Sequence, residues 1–478
     1  MKKIVLLVPF ILFWIQPIFA QNDPREGDWG GVVDFGLSER SLILHTALDS
    51  SGALKANIDV PEYEFFGVPI KAFTFEEGEL KIWLFTSTYR GVLNPEGTEI
   101  VGHLTQNKIL YPLVFKREFS IQPSYQLQHP MPPYPYKEEE VSYDNLAAGI
   151  TLSGTLTFPD SEGPFPAVIL IAGSGPSSRD EEQLNLKFFL VLADHLTRQG
   201  MAVLRFDKRG VNQSTGVYRE ATTLDFASDV LAGIEYLKTR KEIGQIGLIG
   251  YSEGGVIAPM LAAQSDDVAF IVTLAAPAMN GEKIAYSQTV LSLRDAGMSD
   301  DRIAKNLSLR RQLFTIAKNE ADPAIAEPYL RWAITNYLAD VPKDEDGLRP
   351  FGSIFDFTES NMDILCKEFN TRWVRFFLTC EPTDFFRRVT VPTLAINGEL
   401  DCQVVAHQNL PLIEWALRQA GNKNYRIVEL PKLNHLFRVC KTGAMTEYKK
   451  LREGISPTLL NTLSEWLMDQ GLLDRKAT

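Results

Sequence analysis

The sequence predicts a two-part chain: a small all-β domain, then an α/β domain with a mostly parallel sheet, helices on both faces and a helical insertion. Three observations predict it. Residues from about 25 to 118 carry short alternating apolar runs, such as Leu80 to Phe85 and Leu110 to Phe115, with no long helical pattern between them. From about 141, strand-like and helix-like segments alternate, which implies right-handed crossovers and a parallel sheet covered on both faces. Near Pro277 the alternation stops, and it resumes at Thr393; residues 278–388 have helical periodicity instead.

The 478 residues are more than one ordinary domain needs. Hydrophobic content of 45% and charged content of 23% are those of a soluble globular protein. The formal net charge is -12 and the pI about 5.2, with no basic run, so a nucleic-acid partner is not expected. Residues 1–20 read as a secretory signal: Lys2 and Lys3 start it, an apolar stretch runs from Ile4 to about Ile15, and Ala20 precedes the cut. Ile18 is larger than the usual small-residue cleavage pattern prefers. The apolar core is shorter than the roughly 20 residues a span needs, so a retained anchor is the lesser reading. The expectation is an exported protein, periplasmic or secreted, with no membrane span after cleavage. With Gln21 and not cysteine as the expected first mature residue, a lipid-anchored lipoprotein is not expected.

Taken in order, the first domain (21–118) repeats a loose glycine-x-apolar cue at Gly30-Gly31-Val32, Gly91-Val92-Leu93 and Gly102-His103-Leu104. A β-meander closing into a small barrel or a strongly curved sheet fits this pattern best. Such a module binds a ligand or glycan, or it is a structural or dimerising appendage. Residues 119–140 contain Pro123, Pro130, Pro132, Pro133 and Pro135, then Glu138, Glu139 and Glu140, and read as an extended linker. The α/β domain (141–478) follows. Leu152 to Phe158, Ala167 to Ile171 and Val203 to Phe206 read as strands, and Phe188 to Arg198 as a helix. A second helix begins near Thr222, where Thr222 and Asp225 make a capping-box-like start. Phe270 to Leu274 is another strand. Inside the insertion, Ser299 caps a helix carrying Ile303, Leu307 and Phe314. After it come the strand Thr393 to Ile396, a helix at Leu410 to Gln419, the strand Tyr425 to Leu430 and a last helix at Pro457 to Met468. An insertion of this size at the end of a sheet is placed as a lid.

The chemistry gathers around Gly250-Tyr251-Ser252-Glu253-Gly254. An apolar strand enters, a G-x-S-x-G turn follows and a small-residue helix leaves, which is the layout of a nucleophile elbow. A serine hydroxyl needs an adjacent base, itself oriented by a carboxylate. In a sheet of this kind the partners follow in the order serine, acid, histidine. Only His407 and His435 lie after Ser252. His435 follows a strand in a loop able to reach the elbow; His407 starts a helix and reads as solvated. The acid should leave the preceding strand, and Asn397-Gly398-Glu399-Leu400-Asp401 does so, with Asp401 the first choice, Glu399 the runner-up and Asp384 pointing the wrong way. For the developing oxyanion, one backbone donor is expected from Glu253 and the other from Ser174, in Ala172-Gly173-Ser174-Gly175-Pro176 after the Ala167 to Ile171 strand. No metal or organic cofactor is implied.

These residues resemble the α/β-hydrolase superfamily over about 140–470, and more narrowly secreted bacterial serine esterases related to proline-iminopeptidase-like and dienelactone-hydrolase-like enzymes. The matching stretches are Gly173 to Pro176 with Arg179-Asp180-Glu181, Phe206-Asp207-Lys208-Arg209-Gly210 with Ser214-Thr215-Gly216, the elbow, Asn397 to Asp401, and Asn434-His435. The resemblance implies Ser252 as nucleophile, His435 as general base and Asp401 as its orienter, acting on esters through an acyl-enzyme. Two departures stand out: Ala172-Gly173 where many relatives have His-Gly, and Asn212 in place of a second glycine.

The leading expectation is a carboxylic ester hydrolase acting on a small-molecule ester, an acylated glycan among the candidates, beneath a lid carrying Trp373, Phe376 and Phe377. A second is an aminopeptidase, with Glu320, Asp322, Glu327, Asp340 or Glu368 holding the substrate ammonium. A third is a catalytically idle binding protein. Four cysteines, Cys366, Cys380, Cys402 and Cys440, fit no zinc pattern. In an exported protein they read equally as paired or as four small buried residues; if the triad holds, the loops of Cys402 and Cys440 converge and a bridge would tie them together, with Cys366 and Cys380 a weaker pairing. Oligomeric state is not written in the sequence.

Overall fold

The computed structural model describes residues 23–473 except 36–38, 50, 61–64, 71, 85–86, 107–108, 120–128, 185, 341–361, 449 and 452. The signal segment 1–20, the middle of the proline-rich stretch and part of the insertion therefore lie outside the described residues. Among the described residues, no helix is long and apolar enough to cross a membrane. The chain divides into two compact units, one carried by residues before 123 and one by residues from 123 on.

The first unit is nine antiparallel strands: β1 (Gly27–Asp34), β2 (Glu39–Leu48), β3 (Leu54–Val60), β4 (Phe65–Pro69), β5 (Phe73–Glu76), β6 (Glu79–Leu84), β7 (Ser87–Leu93), β8 (Glu99–Gln106) and β9 (Ile109–Lys116). Their order is β4-β3-β2-β1-β9-β8-β7-β6-β5, so two meanders are joined by the β1–β9 pair. The edge strands β4 and β5 are sequence neighbours, which requires the sheet to curl until its edges approach. No ladder pairs them among the described residues, so the domain is a curled sheet rather than a closed barrel. Alternation along each strand turns Trp29, Leu44, Ile58, Ile82, Ile100 and Phe115 inward. The glycine cue has a steric cause. Gly91 pairs with Gly102, and a Cβ on Gly91 would stand 2.2 Å from the Tyr89 hydroxyl oxygen. That hydroxyl, buried over the glycine pair, donates to the Ile100 carbonyl at 3.0 Å.

The second unit is built on eight strands in the order β10-β11-β15-β12-β16-β17-β18-β19. These are β10 (Tyr136–Asn145), β11 (Ile150–Pro159), β12 (Phe165–Ile171), β15 (Ala202–Phe206), β16 (Ile243–Tyr251), β17 (Val268–Leu274), β18 (Thr393–Gly398) and β19 (Tyr425–Leu430); β13 (Glu182–Gln183) and β14 (Leu186–Lys187) form a small ribbon. Only β11 runs against its neighbours; the remaining pairs are parallel. The acidic run Glu138 to Glu140, read from sequence as the end of a linker, lies inside β10. There Tyr136, Val141 and Tyr143 turn inward while the glutamates face partners or solvent.

Helices cover both faces. On one lie α2 (Thr223–Lys238), α3 (Gly254–Ala262) and α10 (Ala406–Gln419); on the other lie α1 (Phe188–Arg198) and α12 (Pro457–Asp469), which the short α11 (Met445–Tyr448) precedes. The central strand β12 sends Ala167, Ile169 and Ile171 to the first core and Val168 and Leu170 to the second. Each of the larger ones, the isoleucines, Val168 and Leu170, contributes about 1.5–3 kcal/mol when fully buried. The expected capping box is present: the Thr222 N–H donates to Asp225 Oδ2 at 2.8 Å.

Between β17 and β18 the chain makes the helical insertion: α4 (Gly281–Asp295), α5 (Asp300–Asn319), α6 (Pro323–Ala339), α7 (Met362–Phe369), α8 (Arg372–Thr379) and the short α9 (Thr383–Phe386). Ser299 caps α5 through the Arg302 N–H. Leu313, Phe314, Leu330, Ile334 and Leu365 give the insertion a core of its own.

Candidate active site

The elbow forms where β16 ends and α3 begins. Ser252 has φ +52, a left-handed conformation that L residues adopt at a cost of about 1–3 kcal/mol. The surrounding glycines make the turn possible. A Cβ on Gly250 would stand 2.0 Å from the Gly254 carbonyl oxygen, and one on Gly254 would stand 2.1 Å from that of Ile171. The Ser252 N–H donates to the Leu274 carbonyl at 2.8 Å, fixing the turn to β17. Its hydroxyl is half-buried and makes no hydrogen bond among the described residues, so it is not committed to holding the fold.

Asp401 and His435 come together as the sequence order anticipates. His435 Nδ1 donates to Asp401 Oδ2 at 2.7 Å, and both side chains are buried. The other carboxylate oxygen, Oδ1, accepts the backbone N–H groups of Gln403 and Val404, each at 2.8 Å. The histidine loop is shaped by Asn434, whose buried Oδ1 accepts the N–H groups of Leu436 and Arg438. The His435 ring lies 5.2 Å from that of Tyr251, the residue preceding the serine. Tyr448 is buried nearby; burial, then the Asp401 charge, pushes its phenol well above the ordinary tyrosine range. The competing candidates are spent elsewhere. Glu399 is exposed and accepts the Lys432 N–H, Asp384 is tied to Arg387, and His407 is exposed at the start of α10.

Ser174 lies on the loop after β12, beside the elbow: an ideal Cβ on Gly173 would be 3.3 Å from Ser252 Cβ. Glu253 sits at the start of α3 with its side chain buried. Lys208 was not singled out from sequence. Its Nζ donates to the Gly173 carbonyl at 2.5 Å and to Glu253 Oε2 at 3.1 Å. Glu181, at φ +47, is buried in the same corner. Burial pushes its carboxyl up, against the opposing pull of Lys208, Gln183, Ser177 and the Gly173 N–H. The loop bearing Lys208 is anchored by two ion pairs, Arg179 with Asp207 at 2.9 Å and Arg209 with Asp229 at 2.7 Å. Asn212, the substituted glycine, has φ +47 and donates to Asp207 Oδ1. Asparagine is among the few residues that enter this region readily, so the departure keeps the turn.

From the insertion, Trp373 reaches the elbow: its Nε1–H donates to Glu253 Oε1 at 2.7 Å, and its ring stacks on Phe377 at 5.0 Å. The five lid acids considered as ammonium anchors have other partners or positions. Glu368 pairs with Arg219 and Glu327 with Arg331, both at 2.7 Å. Asp322 caps α6 through the Ala324 N–H, Glu320 accepts the Asp322 N–H, and Asp340 is exposed at the end of α6.

All four cysteines are free thiols, so neither bridge is present. The thiols face carbonyls instead: Cys402 that of Leu400 at 3.7 Å and that of Thr442 at 4.0 Å, and Cys440 that of Lys432 at 3.6 Å. Burial pushes both thiols up to about 11. A cavity of about 200 Å³ behind the acid loop is lined by Gln288, Asp295, Cys402 and Met445 among others, and its lining does not include Ser252 or His435. Among the described residues no cluster of histidine, cysteine and carboxylate side chains is placed to hold a metal ion.

Residues 185–342 match the family model described as serine aminopeptidase, S33. Esterase EstD of Thermotoga maritima is 24% identical over 409 residues, covering 85% of this chain and 80% of that one. Among solved structures, Est1E of Butyrivibrio proteoclasticus with ferulic acid bound aligns at 20% identity and a TM-score of 0.40, over 69% of this chain and 98% of that one. The Pyrococcus furiosus esterase Pf2001 aligns at 16% identity and a TM-score of 0.39, over 70% and 91%. The eight-stranded sheet with one antiparallel strand and the elbow after its fifth strand in sequence define the class: the chain has the α/β-hydrolase fold. It is a hydrolase of the serine type.

Proposed function

We propose that the protein is a carboxylic ester hydrolase in which Ser252, His435 and Asp401 act as a triad through an acyl-enzyme. The observation that carries this reading is the buried His435–Asp401 pair at 2.7 Å, with the second carboxylate oxygen held by two backbone N–H groups. A carboxylate on Nδ1 fixes the tautomer and leaves the Nε2 lone pair to take the serine proton. Ser252 Oγ then bonds to the ester carbonyl carbon, and the carbonyl oxygen becomes an oxyanion facing the Ser174 and Glu253 N–H groups. Collapse breaks the bond to the alkoxide, which leaves with the proton from His435. Water repeats the cycle: His435 takes its proton, hydroxide attacks the acyl carbon, and the acid departs as Ser252 regains its hydrogen. The esterase named among the relatives supports the same substrate class.

The aminopeptidase reading has one observation in its favour, the description of the family model that matches residues 185–342. It needs an unengaged carboxylate to hold a substrate ammonium. The lid acids are occupied or exposed as described, and Glu253 is already satisfied by Lys208, Thr223 and Trp373. Esters are therefore favoured. A panel of p-nitrophenyl esters of increasing acyl length, acetylated sugars and aminoacyl-p-nitroanilides tests this. The expected result is a kcat/KM for the best ester at least about a hundredfold above any nitroanilide, since a missing charge partner costs on the order of 10² or more in specificity. A nitroanilide preferred over every ester would overturn it.

A further inference from the structure

Both N–H groups assigned to the oxyanion hole are attached to one buried network, and that network ends on the lid. Lys208 Nζ bonds the Gly173 carbonyl at 2.5 Å and Glu253 Oε2 at 3.1 Å, and sits 4.4 Å from the centre of the Phe226 ring. The remaining Glu253 oxygen, Oε1, accepts Thr223 Oγ1–H at 2.8 Å and the Trp373 indole N–H at 2.7 Å. Lys208 and Glu253 are 3% and 6% exposed.

The Gly173 carbonyl and the Ser174 N–H are two ends of one planar trans peptide and point in opposite directions. A cation that holds the carbonyl therefore also fixes the direction of the Ser174 N–H, in a peptide whose Gly173 lies against Ser252. The same ammonium fixes the side chain of Glu253, whose backbone N–H is the second donor. Taking this ion pair out of water is costly, and an apolar pair of similar volume would often serve stability as well. Its geometry, two bonds spanning both halves of the hole, is what an apolar pair would lack.

We propose that Lys208 and Trp373 are positioning residues for the oxyanion hole: Lys208 locks the Ser174 and Glu253 donors in register, and Trp373 couples that register to the seating of the lid. This rests on the triad reading above. An oxyanion-hole defect removes stabilisation made only in the transition state, so it lowers kcat and leaves KM nearly alone.

The test is steady-state ester hydrolysis by the full chain carrying Lys208→Met, Trp373→Phe or both, with thermal unfolding as the check on folding. Lys208→Met is expected to lower kcat about 10²–10³-fold, the range seen on losing one oxyanion donor. Trp373→Phe keeps a ring and removes only the N–H; about a tenfold loss is expected, small beside a full donor. The Ki of a trifluoromethyl ketone, which forms an oxyanion on the enzyme, should rise by the same factor as kcat/KM falls. The double variant should be no worse than Lys208→Met alone, because both act through Glu253. Unchanged kcat in a folded variant, a loss confined to KM, or fully multiplicative effects would overturn the proposal. Should Lys208→Met fail to fold, Trp373→Phe and its ketone Ki decide the matter. Failure of the underlying reading is separate: it appears as a wild-type enzyme that does not depend on Ser252 at all.

Discussion

Ser252→Ala is expected to reduce ester hydrolysis by about 10⁴-fold or more while the protein folds as before, in line with removal of the nucleophile from a serine triad. The structure gives a reason for both halves of that result. The hydroxyl has no hydrogen-bond partner among the described residues, so the fold loses no bond with it. Its backbone is held independently, by the Leu274 carbonyl and by glycines that admit no Cβ. Alanine meets the same left-handed φ as serine, so the strain at +52 is unchanged. Activity assays alongside thermal unfolding measure the two halves together. A variant that folds and keeps its turnover removes Ser252 from the mechanism.

Asp401→Asn carries the second large effect, an expected fall in kcat of about 10⁴-fold at neutral pH, the scale of a tautomer error in such a triad. An asparagine oxygen can keep the N–H groups of Gln403 and Val404, which leaves its amide nitrogen facing His435 Nδ1. Nδ1 must then accept, the proton moves to Nε2, and the base has no lone pair for the serine. Glu399→Gln is the matched control. Glu399 is exposed and its contact is with the Lys432 N–H, so turnover should stay within about twofold, as for most surface substitutions. A large loss at Glu399 with none at Asp401 would reverse the assignment of the acid.

Much of this was legible in the sequence because local pattern and physics agreed. The helix read at Phe188 to Arg198 has those bounds in the structure, and Thr222 with Asp225 makes the capping box of α2. The apolar strands β12, β16 and β17 stand out because burial on both faces demands unbroken apolar runs. Residue order then pointed to the acid and base, and the structure pairs those two residues. Other features rest on distant partners that periodicity does not encode. Lys208 and Glu253 are 45 positions apart in sequence, each in a loop, and a buried ion pair leaves no repeat to detect. Glu138 to Glu140 hid the period-two signal of β10, whose inward side chains are Tyr136, Val141 and Tyr143. The curl of the first sheet depends on β1 meeting β9, the two ends of that domain. The cysteines show the converse: Cys402 and Cys440 sit on neighbouring loops as expected, Cys402 even reaching the Thr442 carbonyl, yet the thiols face carbonyls and not each other.

The most direct measurement is labelling of the full chain with a fluorophosphonate, followed by peptide mass spectrometry. One phosphonylated residue is expected, Ser252, with loss of ester hydrolysis in proportion to labelling. His435→Ala should slow the labelling by about 10³-fold or more, because the base that activates the serine is gone. Full ester turnover in a protein whose Ser252 stays unlabelled, or labelling that maps to another residue, would contradict it.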